Sequence, residues 1–287
     1  MKKFIVAGMV VFSVVIYLGI KMYASSVAEE KVNMAIAKFA NHVDVDYGDV
    51  AADPFGLDVR MSDVLLSLPN SKDKIFIKEI VIHEADDQSD VPSFLDISLT
   101  GIEIDIKKLG NKAKDLLELG YGEKITLNFA VDYNYDKERG KINVDELKLG
   151  VNDVGELEVS FQLENIDLSP EKIAGIMFTY PQIMIHDAKI SYRDDSLVAR
   201  LIERAAKSQN KSVAQLKSEA LRNIDRQIEE GGSEFIKTAL GQVKNFISNP
   251  DEIAILIAPD KPMAVGRLLR TGNPGELIKL LNMEIKS

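Results

Sequence analysis

The chain has 287 residues, of which 46% are apolar and 28% are charged, a composition typical of a globular protein with a sizeable core. It contains no cysteine, which excludes disulfide scaffolds, thiol catalysis and cysteine-ligated metal centres. The formal net charge of −10 at pH 7 argues against a nucleic-acid partner, because a phosphate backbone attracts basic surfaces.

The N-terminus carries an uncharged apolar stretch, residues 4–20, directly after Lys2 and Lys3. As a helix this stretch spans about 26 Å, which is at the short end of what crosses a bilayer. Lysines on the N-terminal side place that end in the cytoplasm. The sequence therefore predicts a single-pass transmembrane anchor over residues 1–24, with the rest of the chain exported.

A cleaved signal peptide is the alternative interpretation, because Ser26-Val27-Ala28 offers small residues at the right spacing for cleavage. Two features favour an uncleaved signal anchor. Lys21 follows the apolar stretch directly, and an amphipathic helical pattern continues without a break through residues 25–42. We expect that second segment to be an extension helix outside the membrane.

Beyond residue 43 the apolar period changes from helical to strand-like, and one specific pattern recurs. Two apolar residues two positions apart are followed, after two intervening residues, by a second such pair, so the apolar positions have offsets 0, 2, 5 and 7. Four instances are Val59, Met61, Val64, Leu66; Ile75, Ile77, Ile80, Ile82; Ile97, Leu99, Ile102, Ile104; and Ile142, Val144, Leu147, Leu149. Two more are Phe161, Leu163, Ile166, Leu168; and Ile183, Ile185, Ala188, Ile190.

The extra residue in this pattern predicts a β-bulge. One added residue would otherwise turn the second half of the strand to the opposite face, and a bulge absorbs it while bending and twisting the strand. Residues 125–133 alternate without the interruption. The sequence therefore predicts a curved antiparallel sheet of bulged strands with one apolar face. That face is either a core covered by helices or a groove open to lipid.

The last third of the chain is predicted to be mainly helical. A helical insertion is expected over about residues 195–249, including a helical hairpin from Ser212 to Ser248, with Ser212 as N-cap and Gln215 completing a capping box. Strand periodicity returns at residues 253–257. The prediction is one α+β domain over residues 43–287, with the hairpin inserted before the last strands.

The sequence offers no motif for catalysis or metal binding. His42, His83 and His186 match no metal-ligand spacing, and no G-x-S-x-G or phosphate loop is present. Acidic pairs such as Asp194-Asp195 stand at predicted turns and helix ends, where charge is usually solvated. We therefore expect no catalytic residue, metal or cofactor, and no enzyme activity; a hydrolase with dispersed residues is the least favoured hypothesis.

Several features together resemble the AsmA-like and YdgA-like envelope proteins of Gram-negative bacteria. They are the short anchor, Val45-Asp46-Tyr47 before the turn at residues 53–56, the bulged strands, and residues 254–262 with residues 278–281. The resemblance implies a periplasmic body held on the inner membrane by residues 4–20. It also implies a curved sheet whose apolar groove handles lipid or outer-membrane components.

The first functional hypothesis is a non-enzymatic protein that binds or transfers lipid in envelope biogenesis or homeostasis. The sixteen residues of the first four strand patterns are its groove candidates, and each acyl CH₂ that they bury contributes about 0.8 kcal/mol. The alternative is an envelope scaffold that binds a protein partner through the helical hairpin. Its partner-binding candidates are Leu216, Ile224, Phe235 and Phe246.

Overall fold

The computed structural model describes residues 44–52, 58–67, 74–86, 89, 91–109, 112–169, 172 and 175–287. The predicted anchor, the extension helix, His42 and the turn at residues 53–56 lie outside these ranges. Within them, no helix combines the length and the hydropathy needed to cross a membrane.

The fold is α+β, as predicted, and the described residues form two compact units divided between Asn134 and Tyr135. Whether these units make one domain stays a prediction. The strands that begin in the first unit are β1 (Asp44–Asp46), β2 (Asp49–Ala52), β3 (Val59–Ser67), β4 (Lys74–Ala85), β5 (Phe94–Asp105) and β6 (Lys124–Asp136). A 3-10 turn (Ile106–Leu109) and helix α1 (Lys112–Glu118), neither of which is predicted from the sequence, separate β5 from β6.

The apolar residues of the 0, 2, 5, 7 patterns in the first unit share one face of its antiparallel strands, as predicted. The strand order is β1-β3-β4-β5-β6, and β2 also pairs with β3. The register places Met61 opposite Ile80, and Ile80 opposite Leu99. On the far side of the interruption, Ile77 lies opposite Val64 and Ile102. Both halves of each pattern therefore point to the same side of the sheet.

The interruptions in β3, β4 and β5 lie at one level of the sheet. Asp63 and Gly101 have φ angles of 51° and 70°, and Lys78 stands between them on the middle strand. Because all three strands carry the extra residue at this level, their pairing keeps its register. Strand β6 has no such residue, so the register shifts where it meets β5, between Leu99 and Ile102.

The second unit contains a further set of antiparallel strands and most of the described helices. Its elements are β7 (Lys141–Val151), β8 (Gly155–Glu164), α2 (Ile176–Thr179), a 3-10 turn (Tyr180–Gln182), β9 (Met184–Asp194), α3 (Leu197–Ser208), α4 (Val213–Glu230), α5 (Glu234–Ser248), β10 (Glu252–Ile257), β11 (Met263–Ala264), α6 (Val265–Arg270), α7 (Pro274–Leu280) and β12 (Glu284–Lys286). The strand order is β7-β8-β9-β10-β12, with β11 paired to β9.

Two of the three predicted bulges in this unit are confirmed by register shifts. One lies between Val144 and Leu147 on β7, and the other lies at His186 on β9. The third prediction, a bulged strand running from Phe161 to Leu168, is wrong because β8 ends at Glu164. Asn165 adopts a left-handed conformation that turns the chain out of the sheet, which ends the strand.

Helices α3, α4 and α5 leave the sheet after β9, and the chain returns as β10, which pairs with β9. The predicted caps form. The Ser212 side chain accepts from the Gln215 backbone, and the Gln215 side chain accepts from the Ser212 backbone. Gly231 and Gly232, both with positive φ, separate α4 from α5, whose N-cap is Ser233. These local signals explain why the hairpin is predictable from the sequence.

Candidate functional site

The groove candidates of β3, β4 and β5 lie inside the first unit. Nine of them are buried, none more than 7% exposed: Val59, Met61, Val64, Leu66, Ile77, Ile80, Ile82, Ile97 and Leu99. Ile75, Ile102 and Ile104 are partly buried. Burying a side chain of this size contributes about 1.5–3 kcal/mol, so these residues form the hydrophobic core of the unit. Their contact with lipid stays a prediction.

The groove candidates of β7 have different surroundings. Val144 is buried, Ile142 and Leu147 are partly buried, and Leu149 is 44% exposed. The same offset pattern therefore yields a core face in the first unit and a partly accessible face in the second.

Leu149 belongs to a continuous apolar surface on the strands of the second unit. Leu157 of β8 lies directly opposite it and is 41% exposed, and Ile190 of β9, opposite Val159, is also 41% exposed. We call this surface the open face. Its members are Leu147, Leu149, Leu157, Val159, Ile190, Ile255 and Ile285.

The register shows how far the open face extends. Leu147, Val159, Ile190, Ile255 and Ile285 form one row across β7, β8, β9, β10 and β12. Neighbouring strands lie about 4.8 Å apart, so the row is about 19 Å long. Three exposed large apolar side chains on adjacent strands form a patch rather than the scattered single residues common on protein surfaces.

The opposite face of the same strands is polar. Lys148 forms ion pairs with Glu146 and Glu158 at 2.5 and 3.9 Å, and its hydrogen bond to Glu146 raises the pKa of the lysine. Arg193 pairs with Glu156 at 3.5 Å across β9 and β8. The two faces of this unit's strands therefore differ sharply in chemistry.

A cavity of about 560 Å³ lies between the end of α5 and strands β9, β10 and β12. Lys189 and Glu252, which form an ion pair at 3.6 Å, both contribute to its lining, as do Lys286 and Phe246. Ala254 and Leu256 also contribute to the lining, so the cavity combines charged and apolar groups.

The partner-binding candidates Leu216, Ile224, Phe235 and Phe246 are all partly buried. No residue of α4 or α5 is fully buried, although both helices are amphipathic. The Phe246 ring meets the ring of Tyr192 edge-on with centroids 6.3 Å apart, which fixes the end of α5 against the sheet.

The two described histidines each bind a carboxylate. His83 lies 3.1 Å from Asp58, and His186 lies 2.7 Å from Glu164. Both histidines stand where the strand register shifts, so each pair ties a bulged residue to a neighbouring segment. In the part of the chain that the structure describes, no group of three His, Cys, Asp or Glu side chains could hold a metal ion.

The sequence offers a signal for part of the open face that the groove prediction did not use. Leu157, Val159, Phe161 and Leu163 alternate without interruption before β8 ends. Their register opposite β7 places them on the same face as Leu147 and Leu149. The alternation does not indicate how exposed these side chains are, because their exposure depends on which segments pack above the sheet.

Comparison with known proteins adds little about activity. The profile of a family described only as an uncharacterized protein matches residues 148–287, which lie within the second unit and include most of the open face. No curated protein matches the chain.

Proposed function

We propose that this chain is a non-enzymatic, membrane-anchored periplasmic protein that binds or transfers lipid in envelope biogenesis or homeostasis. The open face is the surface that contacts acyl chains. The observation that carries the proposal is the paired exposure of Leu149 and Leu157, with Ile190 beside them on the next strand. This role agrees with the resemblance to AsmA-like and YdgA-like proteins.

An acyl chain gains binding free energy on such a face from burial alone. Each CH₂ removed from water contributes about 0.8 kcal/mol, and covering Leu149, Leu157 and Ile190 adds their own exposed area. A row about 19 Å long covers many CH₂ groups at once. No reacting group is required for this function, in line with the absence of a catalytic motif in the sequence.

The proposal includes the anchor. Residues 1–24 cross the inner membrane with Met1 in the cytoplasm, residues 25–42 continue as a helix, and the body lies in the periplasm. Membranes washed with alkaline carbonate should retain the full chain, and protease added to spheroplasts should remove the body. Release of a shortened chain into the periplasm would show that residues 1–24 are a cleaved signal instead.

The lipid proposal is tested by comparing two double variants on the same strands. Leu149→Gln with Leu157→Gln changes the open face, whereas Lys148→Gln with Glu158→Gln changes the polar face behind it. Quantitative mass spectrometry of lipid extracted from the purified full chain should show up to about a thirtyfold loss for the leucine variant, because about 1 kcal/mol is lost at each of its two sites. The polar variant should match the wild type.

Both double variants change exposed or half-exposed side chains, so circular dichroism should show both to be folded. Equal lipid content in all three proteins, with the leucine variant folded, would contradict the proposal. The absence of bound lipid from the wild type would contradict it as well.

A second function is favoured by one observation. The hairpin of α4 and α5 carries apolar residues on both helices, yet none of them is fully buried, as expected for a helix face that completes its packing on a partner. In this alternative the chain is an envelope scaffold. Val213→Asp with Ile236→Asp, two exposed positions on the hairpin, should then abolish a defined cross-linked complex and leave the lipid content unchanged.

A further inference from the structure

Three further exposed apolar side chains of the second unit lie on α2, on the 3-10 turn that follows it and on α6. Phe178 at the end of α2 is 86% exposed, Leu269 in α6 is 63% exposed, and Tyr180 is 40% exposed. We call these three residues the apolar tip. A phenylalanine exposed to this degree leaves most of its ring in water, which is unfavourable in free energy. A binding function would explain why the ring is exposed.

The elements that carry the apolar tip are fixed to one another. The Val265 backbone N–H donates to the Ile183 carbonyl at 2.9 Å, which joins α6 to the chain beyond the 3-10 turn. Gly266 approaches Pro181 so closely that an added Cβ would lie 2.8 Å from the proline carbonyl oxygen. The helix that carries Leu269 therefore packs directly against the 3-10 turn that carries Tyr180 and follows Phe178.

The two segments that carry the apolar tip have a charge opposite to that of the whole chain. Residues 175–183 carry no charged side chain, and residues 263–272 carry Arg267 and Arg270 with no acidic residue. Both arginines are exposed in the last turn of α6. A chain with a net charge of −10 thus carries two exposed arginines on the helix that packs against the turn following Phe178.

We propose that the apolar tip inserts into the headgroup region of an anionic bilayer, with Phe178 and Leu269 entering the boundary of the acyl chains and Arg267 and Arg270 binding lipid phosphates. Apolar and basic side chains together are the combination that interfacial segments use, and they reach about 5–10 Å into the membrane. Arginine suits the phosphate because its planar guanidinium donates two hydrogen bonds in parallel.

This inference does not rest on the open face as a lipid site. An anionic bilayer fits the tip better than an acidic protein does, because Phe178 and Tyr180 expose apolar rings and residues 175–183 contain no charged residue. The tip supplies a membrane contact distinct from the proposed anchor.

The absence of tryptophan from the chain allows a direct experiment. Phe178→Trp places one fluorescent reporter at the apolar tip of the full chain, and Ile236→Trp places one at an exposed position on α5 as a matched control. Both proteins are reconstituted in vesicles of phosphatidylcholine with phosphatidylglycerol, in which a fraction of the acyl chains is brominated. Bromine quenches only a reporter that contacts the acyl region.

We expect the brominated lipid to quench the F178W emission by about half or more and to leave the I236W emission nearly unchanged, because an inserted side chain lies within the acyl boundary. Adding Arg267→Gln and Arg270→Gln to F178W should lower the ratio of inserted to free tip about fivefold per arginine. Vesicles of phosphatidylcholine alone should reduce the insertion of F178W to the same extent.

Three results would overturn the inference: no quenching of F178W, equal quenching of both reporters, or quenching that is independent of the arginines and of phosphatidylglycerol. A protein partner is tested separately with a photoreactive phenylalanine at position 178 in cells. Adducts with phospholipid support the inference, and a discrete protein adduct without lipid contradicts it. Unchanged thermal melting of each variant shows that the fold is intact.

Discussion

The two units carry the same strand pattern and use it differently. In the first unit, Ile77, Ile80 and Ile97 lie in a closed core, each no more than 5% exposed. In the second unit, Leu149, Leu157 and Ile190 lie on the apolar face of their strands and remain more than 40% exposed. Alternation with a bulge thus decides which side of a sheet is apolar. It does not decide whether that side is covered.

The largest expected effect is a difference in stability between a variant of the core face and a variant of the open face. Ile97→Ala removes a fully buried side chain and should lower the free energy of unfolding by about 2–5 kcal/mol. Leu157→Ala removes a half-exposed one and should cost about 1 kcal/mol or less. Urea denaturation followed by circular dichroism measures both. Similar losses at the two positions would show that the faces are equally buried in solution.

The next largest effect on stability is expected at the pattern interruption that β3, β4 and β5 share. Gly101 has a φ of 70°, and an added Cβ would lie 2.5 Å from the Cβ of Lys78 on the neighbouring strand. Gly101→Ala should therefore destabilise the protein by about 1–3 kcal/mol. Gly241→Ala in α5 meets no atom within 4 Å and should stabilise it by about 0.5–1 kcal/mol.

Thermal melting of the two glycine variants checks this prediction, and the sign of the change is the decisive result. A Gly101→Ala variant that is as stable as the wild type would mean that the interruption does not require a left-handed residue.

The smallest effect concerns alkaline pH. Burial, followed by the negative charge of Asp86, raises the pKa of Tyr133 to about 12, and its hydroxyl donates to the Pro92 carbonyl at 3.2 Å. The ordinary pKa of tyrosine is about 10. The protonated hydroxyl therefore stabilises the fold below pH 10, and this contribution is lost as the pH rises from about 10 to about 12.

Tyr133→Phe should remove the loss of stability at alkaline pH. The variant should also be about 1 kcal/mol less stable at neutral pH, because the hydrogen bond disappears. Tyr180→Phe, at an exposed position in the second unit, should leave the alkaline loss in place. Unfolding curves measured across this pH range test both expectations. If Tyr133→Phe still loses stability between about pH 10 and pH 12, another titrating group causes the loss.

Much of the fold could be predicted because its signals are local. The 0, 2, 5, 7 spacing locates the interruptions at Asp63 and Gly101, and the uninterrupted alternation of β6 explains the register shift at Leu99. The capping box at Ser212 fixes the start of α4 in the same way. Each of these features depends on residues close together in the chain.

The rest of the structure depends on contacts between distant segments. Helix α1 has only seven residues and no long apolar repeat, so periodicity gives no signal for it. The end of β8 at Glu164 is set by the left-handed Asn165 and by the bond from the Ile166 N–H to the Gly140 carbonyl.

The candidate site shows the same limit of sequence patterns. Ile82 and Leu149 both occupy the last position of a 0, 2, 5, 7 pattern, so the sequence gives them the same apolar signal. Ile82 is 1% exposed, whereas Leu149 is 44% exposed. Only the packing of segments that are distant in the chain distinguishes the two positions.

The proposed function depends on hydrocarbon binding to the open face of the second unit. Photolabelling of the full chain with a diazirine-bearing phospholipid, followed by peptide mapping, tests it most directly. We expect label on Leu149, Leu157 and Ile190, and much less label on the buried Ile82 and Ile97. Label confined to strands β3, β4 and β5, or no label on the second unit, would contradict it.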